Sequence, residues 1–432
     1  MKKIFFFFFA FQAICSGTEA QPKKILVFGN DMTRGNEVVC KDKNLYTAQL
    51  EALSNNNVEI KTICFPDGLF YMQSNITDSV TAYNPDIIIW EAGSQNEIES
   101  KGIKYKKLMR EISGFHKELF KVAPDKEYIF INPTDKIEPF SEYHSFINVV
   151  NSELKDKNCM FIKSDSIVPC RNPFVGKHYQ PTSLGNSLIA WNIFKAIEKN
   201  DSLNSAVTPI YGTEFRSSTG WKEGADWHKV NEEINQLVAS KKLDLLLIGN
   251  SITQGFGGNR ELIGYKPGKN AADANFGDLN WECAGIAGDK VQHILWRIKQ
   301  GVYEKSEAKD IVLTLGVNNL PNEENTPEEV AEGIKLCVQE LSTRFPKSRI
   351  VLFGPLPAHA DPTSPLRQSI IETHQNLLNM QMPANVKYID PTSWFTMGNG
   401  ALKTELYVRD QLHLSPKGYE VWTENIKAVL SE

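Results

Sequence analysis

The sequence lacks several features that would place it in common classes of protein. It has no cluster of basic residues, and 52 acidic residues outweigh 47 basic ones, so no nucleic-acid partner is expected. It has no C-x-x-C pair and no histidine-rich segment, so no metal or other cofactor is predicted. No apolar run reaches the roughly 20 residues of a transmembrane helix. The absence of G-x-S-x-G excludes the nucleophile elbow of an α/β-hydrolase.

The first 20 residues have the pattern of a secretory signal peptide. Residues 2–3 are lysines, residues 4–14 form a predominantly apolar stretch, and residues 18–20 offer a small-residue cleavage site. Lipid modification at Cys15 is the less favoured alternative, because a bulky isoleucine precedes this cysteine. The mature protein is therefore expected to be periplasmic or secreted.

The six cysteines that follow this segment leave their pairing open. They are Cys40, Cys64, Cys159, Cys170, Cys283 and Cys337. Export permits disulfides, and the four in the first half allow three pairings. Cys283 and Cys337 equally fit small buried residues that stay reduced.

Short apolar runs of the kind found in buried parallel strands occur five times in each half. They cover residues 25–29, 60–65, 86–92, 128–132 and 160–163, then 243–249, 281–284, 310–316, 349–355 and 386–390. Amphipathic stretches separate them, and this alternation predicts two tandem α/β domains, each a doubly wound parallel sheet. The predicted domains are 22–204 and 225–432, joined by a linker at 205–224 that is rich in Ser, Thr and Gly.

A serine follows the first predicted strand of the second half. Gly-Asn-Ser-Ile-Thr occupies 249–253, which places Ser251 at the carboxyl end of a buried strand. Asp-Gln-Leu-His occupies 410–413, just before the last helix. His413 can accept the serine proton, and Asp410, one helical turn earlier, can hold the imidazole in the right tautomer. These three residues are the predicted catalytic triad, although an isolated serine in this position more often caps a helix.

Two further loops supply candidate donors for an oxyanion hole. Ala-Gly-Ile-Ala-Gly-Asp at 284–289 follows the second strand, and Gly-Val-Asn-Asn at 316–319 follows the third. The backbone N–H of Gly288 and the side-chain amide of Asn318 are the predicted donors, together with the N–H of Ser251. Each motif alone is weak evidence for an oxyanion hole, but all of them follow successive strands of one predicted sheet.

These four blocks resemble those of the SGNH (GDSL-type) hydrolases, over about residues 227–430. The similarity is greatest to the branch that contains platelet-activating-factor acetylhydrolase catalytic subunits and bacterial carbohydrate esterases. It implies a flavodoxin-like three-layer fold with five parallel strands. It also implies Ser251 as nucleophile, His413 as base and Asp410 as its orienting carboxylate, with oxyanion donors from Ser251, Gly288 and Asn318. Asn250 stands where the family often has aspartate, but this position is not the nucleophile.

The first half resembles a copy of the same domain that has lost its catalytic residues. Asp31 occupies the serine position and Gln95 the asparagine position. Gln180 and Lys177 occupy the histidine and aspartate positions, with His178 close by. Without a serine no acyl transfer is expected there, so this half is predicted to bind ligand, shape the neighbouring site or stabilise the fold.

The predicted function is an exported serine esterase that removes acyl groups, most favourably acetyl, from a carbohydrate. Tyr265, Trp281, Trp296 and Trp394 are candidate surfaces for stacking on sugars, although tryptophans are more often core residues. His359 is either a substrate contact or a loop residue. The alternatives are a lysophospholipase or thioesterase with an exposed apolar channel, and a glycan-binding protein without turnover.

Overall fold

The computed structural model describes residues 21–29, 31–64, 76–91, 105–132, 150–177, 180–216, 220–222, 224–321 and 324–432. These residues form two parallel five-stranded sheets. The first contains β1 (Lys23–Gly29), β2 (Val58–Cys64), β3 (Ile87–Glu91), β4 (Glu127–Ile131) and β5 (Cys159–Ile162). The second contains β6 (Leu245–Gly249), β7 (Trp281–Gly285), β8 (Asp310–Thr314), β9 (Arg349–Phe353) and β10 (Val386–Ile389). Each predicted strand is present, and its ends lie within two residues of the prediction.

The two sheets share one strand order. The first runs β2-β1-β3-β4-β5 and the second β7-β6-β8-β9-β10, which is the flavodoxin-like order in both halves. The predicted fold class is therefore confirmed. In the second sheet Gly249 pairs with Gly285 on one side and with Thr314 on the other. The central strands thus end level, so the loops that follow them meet at one edge of the sheet.

Helices connect the strands in both halves. In the first half they are α1 (Asp31–Arg34), α2 (Lys41–Asn44), α3 (Tyr46–Leu53), α4 (Ile76–Tyr83), α5 (Tyr105–Val122), α6 (Ser164–Ile167) and α7 (Ser183–Glu198). In the second half they are α8 (Trp227–Ala239), α9 (Ser251–Gln254), α10 (Lys269–Phe276), α11 (Val291–Lys299), α12 (Pro327–Arg344), α13 (Pro365–Leu378), α14 (Thr392–Phe395) and α15 (Pro416–Ser431). The predicted capping box of α12 is present, since Thr326 and Glu329 each accept the backbone N–H of the other.

Strand β6 shows why its sequence is a continuous apolar run. Leu246 and Ile248 pack in the core on one face of the sheet, with Ile334 of α12. Leu245 and Leu247 pack on the opposite face, in the cluster that contains Trp422 of α15. Both faces are covered by helices, so every residue of the strand is buried, and each leucine contributes roughly 1.5–3 kcal/mol.

The segment between the two sheets makes specific contacts. The Tyr211 hydroxyl donates to the carbonyl oxygen of Lys43 in the first half (2.6 Å). The carbonyl of Glu214 accepts the N–H of Trp227 (3.0 Å), and Trp221 forms a β-bridge with Ile263. The predicted linker is therefore packed on the second half, while the boundaries 22–204, 205–224 and 225–432 stay predictions.

None of the described cysteines forms a disulfide bond. The thiols of Cys283 and Cys337 are buried, as expected for small core residues, and burial raises the pKa of both. No helix among the described residues is long and apolar enough to cross a membrane. The predicted signal peptide, with Cys15, lies outside the described residues.

Candidate active site

Ser251 lies at the carboxyl end of the central strand of the second sheet. Strand β6 ends at Gly249, and the side-chain oxygen of Asn250 accepts a backbone N–H of α9 (3.1 Å). A Cβ atom on Gly249 would lie 2.1 Å from Thr253 Oγ1 and 2.4 Å from the carbonyl oxygen of Thr314. A glycine is therefore required where the chain leaves the sheet, and the half-buried Ser251 follows directly.

The three residues predicted to form the triad lie in one hydrogen-bonded chain. His413 Nε2 is 2.9 Å from Ser251 Oγ, and His413 Nδ1 is 2.8 Å from Asp410 Oδ2. Both distances lie within the range for proton transfer between a nucleophile and its base. The arrangement places the imidazole to take the serine proton while the carboxylate holds its other nitrogen.

The spacing between Asp410 and His413 comes from a turn, so the expectation of one helical turn was wrong. Asp410 Oδ1 accepts the backbone N–H groups of Leu412 and His413, both at 2.9 Å. The backbone of Gln411 adopts φ 56°, which a helix does not allow. Burial raises the pKa of Asp410, but hydrogen bonds from the His413 backbone, the His413 ring and the Leu412 backbone outweigh it and lower the pKa overall. The carboxylate therefore stays ionised.

The two candidate oxyanion loops are joined by a hydrogen bond. Asn318 Nδ2 donates to the carbonyl oxygen of Asp289 (2.9 Å), and an amide nitrogen carries a second N–H that can point at a substrate oxygen. Gly288 has φ +82°, and a Cβ atom there would lie 2.8 Å from Glu214 Oε2. A glycine is therefore required at this position as well.

A buried ion pair, missed from the sequence, holds the loop that contains Gly288. The Asp289 carboxylate accepts hydrogen bonds from Trp227 Nε1 (2.6 Å) and Arg297 Nη1 (2.7 Å). Arg297 Nη2 also donates to the carbonyl oxygen of Ala284 (2.6 Å). Asp289 and Arg297 are almost fully buried, so removing one partner would leave an unpaired charge. The charge of Arg297 among the apolar residues on the buried face of α11 was the available signal.

A cavity of about 180 Å³ opens beside Ser251. It is lined by Arg216, Gly220, Ser251, Gln254, Gly255, Tyr265, Pro267, Ala287, Val408, Asp410, His413, Leu414 and Tyr419. Two of these residues, Arg216 and Gly220, come from the predicted linker, which sequence reasoning did not assign to the site. A larger open groove of about 930 Å³ along α8 contains none of the three triad residues.

Of the candidate stacking residues, only Tyr265 lines this cavity, and it is 58% exposed. Trp281 is buried, whereas Trp296 packs on Trp227 and Trp394 packs on Trp422. His359 is not among the lining residues. It has φ 64°, and its backbone N–H donates to the carbonyl oxygen of Gln411 (2.9 Å). Its contact therefore supports the turn that carries Asp410.

The corresponding edge of the first sheet is occupied by a carboxylate. One residue separates the end of β1 from the start of α1 at Asp31. In the same way, one residue separates the end of β6 from the start of α9 at Ser251. The Glu91 carboxylate accepts the backbone N–H groups of Met32 (2.8 Å) and Thr33 (3.0 Å) at the start of α1. A negative charge at the start of α1 would repel an oxyanion. This is consistent with a domain that does not transfer acyl groups.

The other substituted positions of the first half are only partly described. Gln180 is buried, whereas Lys177 is exposed. Gln95 and His178 lie outside the described residues. The loss of the catalytic set in this half therefore stays a prediction.

Comparison with known proteins shows which family the second half is similar to. Residues 247–421 match the GDSL-like Lipase/Acylhydrolase family. Human platelet-activating factor acetylhydrolase IB subunit alpha2 is 42% identical over 137 residues, which cover 31% of this chain and 57% of that protein. The subunit alpha2 of Gallus gallus is 35% identical over 136 residues, with the same coverage. The chain thus spans little more than half the length of these relatives.

Solved structures give matches of low identity. A catalytic mutant of an acetylxylan esterase from Geobacillus stearothermophilus has a TM-score of 0.36 and 17% identity, covering 43% of this chain and 91% of that one. The family match and the curated relatives support an SGNH (GDSL-type) hydrolase family for the second half. The resemblance inferred from the four motifs is confirmed.

Replacing Asn318 tests the side-chain donor of the oxyanion hole. We expect Asn318→Ala to lower kcat by about 10²–10³-fold with little change in KM, because this hydrogen bond strengthens only as charge develops on the substrate oxygen. Steady-state kinetics on p-nitrophenyl acetate measure both constants. Asn379→Ala, at the exposed end of α13, is the control and should match the wild type. A change confined to KM would show that Asn318 binds the ground state instead.

Proposed function

We propose that the protein is an exported serine esterase that hydrolyses O-acetyl esters of a carbohydrate. The observation that carries this proposal is the hydrogen-bonded chain from Ser251 through His413 to Asp410, beside a cavity of about 180 Å³. The proposed hydrolysis follows from these three groups and from the two loops that follow β7 and β8.

The first half-reaction transfers the acyl group to the enzyme. Ser251 Oγ attacks the ester carbonyl while His413 Nε2 takes the serine proton, and the Asp410 carboxylate stabilises the imidazolium. The oxyanion of the tetrahedral intermediate accepts hydrogen bonds from the N–H groups of Ser251 and Gly288 and from the Asn318 amide. The intermediate collapses, His413 gives its proton to the leaving alcohol, and an acyl-serine ester remains.

The second half-reaction restores the enzyme. His413 removes a proton from a water molecule, which attacks the acyl-serine carbonyl through a second tetrahedral intermediate. The Ser251 oxygen leaves and regains its proton from His413. The products are acetate and the free alcohol.

The size and lining of the cavity favour a short acyl group. A volume of about 180 Å³ suits an acetyl group, whereas a long acyl chain would need an extended apolar channel. The lining includes Arg216, Gln254 and Asp410, so it is not such a channel. This favours an acetylesterase over a lysophospholipase, and the name of the 42% identical relatives, an acetylhydrolase, agrees with it.

The carbohydrate part of the proposal rests on two further features. The predicted signal peptide would place the enzyme in the periplasm or outside the cell, where acylated glycans are abundant. Tyr265 exposes an aromatic ring at the cavity, where it can stack on the apolar face of a sugar.

A screen of purified protein tests the proposal. We expect rates on p-nitrophenyl esters to fall steeply from acetate to octanoate, and acetate to be released from acetylated glycans. Faster turnover of octanoate would favour the lipase alternative. Binding of glycans without release of acetate from any ester would favour the non-catalytic alternative.

Replacing Asp31 tests whether the first half takes part in the chemistry. We expect Asp31→Ala to retain wild-type kcat and KM on p-nitrophenyl acetate, because no proton or acyl group passes through the first sheet. Asp86→Ala, elsewhere in the same half, provides the control for any loss of stability, which thermal unfolding of both variants would reveal. Loss of small-ester turnover in a folded Asp31→Ala variant would show that the first half is catalytic.

A further inference from the structure

A buried tryptophan contacts the loop that contains Gly288. Trp227, the first residue of α8, is 1% exposed, and its Nε1 donates to Asp289 Oδ1 at 2.6 Å. The acceptor is a fully buried carboxylate, so this hydrogen bond is of the stronger, charge-assisted kind. The carbonyl oxygen of Asp289 also accepts Asn318 Nδ2 (2.9 Å). Asp289 therefore links the indole of Trp227 to both candidate oxyanion loops.

Glu214, in the segment that precedes α8, contacts Trp227 and Gly288 together. Its carbonyl oxygen accepts the backbone N–H of Trp227 (3.0 Å). Its side chain lies against Gly288, since a Cβ atom on that glycine would lie 2.8 Å from Glu214 Oε2. The segment that contains Glu214 and the start of α8 thus support the same loop.

The first half of the chain contacts the residues on either side of Trp227. The thiol of Cys40 donates to Asp226 Oδ2 (3.1 Å), and His228 Nε2 is 2.9 Å from Asn44 Oδ1. Asp226 and Asn44 are buried, at 2% and 1% exposure. The start of α8 is therefore held against the first half just before and just after the tryptophan.

The segment that contains Glu214 is held by the first half as well. The Tyr211 hydroxyl donates to the carbonyl oxygen of Lys43 (2.6 Å). Ser187 Oγ is 2.8 Å from Thr213 Oγ1, and Thr213 directly precedes Glu214. The first half therefore contacts both segments that meet at Trp227.

We infer that Trp227 is a positioning residue for the oxyanion hole, and that the first half serves to fix Trp227 and the segments around it. This inference rests on the proposed function. An oxyanion donor stabilises the transition state only if it points at the place where charge develops. A displacement of about 1 Å far from the chemistry can cost about 10²-fold in rate. The first half supports turnover in this way although no proton or acyl group passes through it.

Trp227→Phe tests the indole N–H, because phenylalanine keeps an aromatic ring in the core but has no donor. We expect kcat on p-nitrophenyl acetate to fall about 10- to 100-fold with little change in KM, since the oxyanion donors act in the transition state. Trp296→Phe is the control. It makes the same change to an indole that packs on Trp227, with ring centroids 5.8 Å apart, and it should keep the wild-type kcat.

A double-mutant cycle tests whether Trp227 acts through the oxyanion loops. Trp227 and Asn318 both bond to Asp289, so their losses should not be independent. We expect the loss of kcat in the double variant Trp227→Phe with Asn318→Ala to be smaller than the product of the two single losses, by more than about 2-fold. A merely structural role of Trp227 would give losses that multiply.

Asn44→Ala tests the first half, since it removes the acceptor of His228 and leaves Trp227 in place. We expect kcat to fall about 2- to 30-fold with KM unchanged. The variant also loses a hydrogen bond to the Val39 carbonyl within the first half. Asp86→Ala, which likewise loses a hydrogen bond confined to the first half, is therefore the control and should keep the wild-type kcat. Thermal unfolding checks that every variant is folded.

Several results would overturn the inference. Wild-type kcat in a folded Trp227→Phe variant, or losses that multiply in the cycle, would reject the positioning role while leaving the esterase proposal intact. Wild-type kcat in Asn44→Ala would reject the role of the first half. If Trp227→Phe fails to fold, the same cycle between Asn44→Ala and Asn318→Ala decides the matter, and independent losses there reject the inference. A wild type that hydrolyses no ester would reject the proposed function and this inference with it.

Discussion

Ser251→Ala should reduce esterase activity by roughly 10⁴- to 10⁶-fold while leaving the fold intact. The hydroxyl lies 2.9 Å from His413 Nε2, and its removal leaves the base without a nucleophile to activate. Residual catalysis would come from the oxyanion donors and from substrate binding. Hydrolysis of p-nitrophenyl acetate measures the loss, and the thermal midpoint checks the fold, since Ser251 is at the edge of the sheet rather than in its core.

Covalent labelling gives an independent check of the same residue. A fluorophosphonate should modify Ser251 in the wild type, and the Ser251→Ala variant should remain unlabelled. Ser240→Ala, at the exposed end of α8, is the control and should keep both activity and labelling. Labelling at another serine, or near-wild-type turnover without Ser251, would contradict the assignment of the nucleophile.

Asp410→Asn should lower kcat by about 10²- to 10⁴-fold with a smaller effect on KM. The amide would donate to His413 Nδ1, where the carboxylate now accepts at 2.8 Å, and this favours the tautomer that carries its proton on Nε2. Such an imidazole cannot accept the Ser251 proton. The carboxylate is half exposed, so we expect a smaller loss than for a fully buried triad.

The turn around Asp410 needs its own control, because the same carboxylate also accepts two backbone N–H groups. Asp361 is an exposed aspartate whose Oδ1 accepts the N–H of Thr363 (2.8 Å), so Asp361→Asn makes the same chemical change in another loop. That variant should match the wild type. Asp410→Asn should still react with the fluorophosphonate, but far more slowly. Wild-type kinetics in Asp410→Asn would show that another group orients His413.

The pH dependence of activity tests the charge state of Asp410. The pKa of Asp410 lies below its ordinary value, because the hydrogen bonds that stabilise its charged form outweigh the effect of burial. Its folded-state pKa is depressed, so the contribution of the charged form to stability is present above the ordinary carboxyl range and is lost as the pH falls through the lowered pKa. A fall in activity at mildly acidic pH would therefore not reflect protonation of Asp410.

The fold was predictable because strands of a doubly wound sheet are buried on both faces. Leu245, Leu247 and their neighbours form a continuous apolar run, and local composition alone marks such a strand. Proline at the first position of α12 and the capping box of Thr326 and Glu329 are equally local. Strand order is not local, but the repeated alternation of strands and helices restricts it to few topologies.

The candidate catalytic set, which includes the triad and the oxyanion donors, was predictable for a related reason. Ser251, Gly288 and Asn318 each follow a strand, and parallel strands bring their carboxyl ends to one edge whatever their separation in sequence. His413 lies 162 residues from Ser251, yet its place before the last helix marked it as well. The turn that positions Asp410 was not foreseen, since Asp-x-x-His suits a helix and a turn alike.

By itself, the sequence determined two flavodoxin-like halves, the family that the second half resembles and the residues proposed to form its catalytic set. These features follow from periodicity and from motifs within short segments. Only the tertiary structure decided that Arg216 lines the cavity and that Asp289, next to Gly288, pairs with Arg297. It also decided that the Glu91 carboxylate lies at the start of α1 in the first half. Those outcomes depend on which side chains meet across the packed layers. Such contacts cannot be predicted from the pattern of polar and apolar residues within one segment.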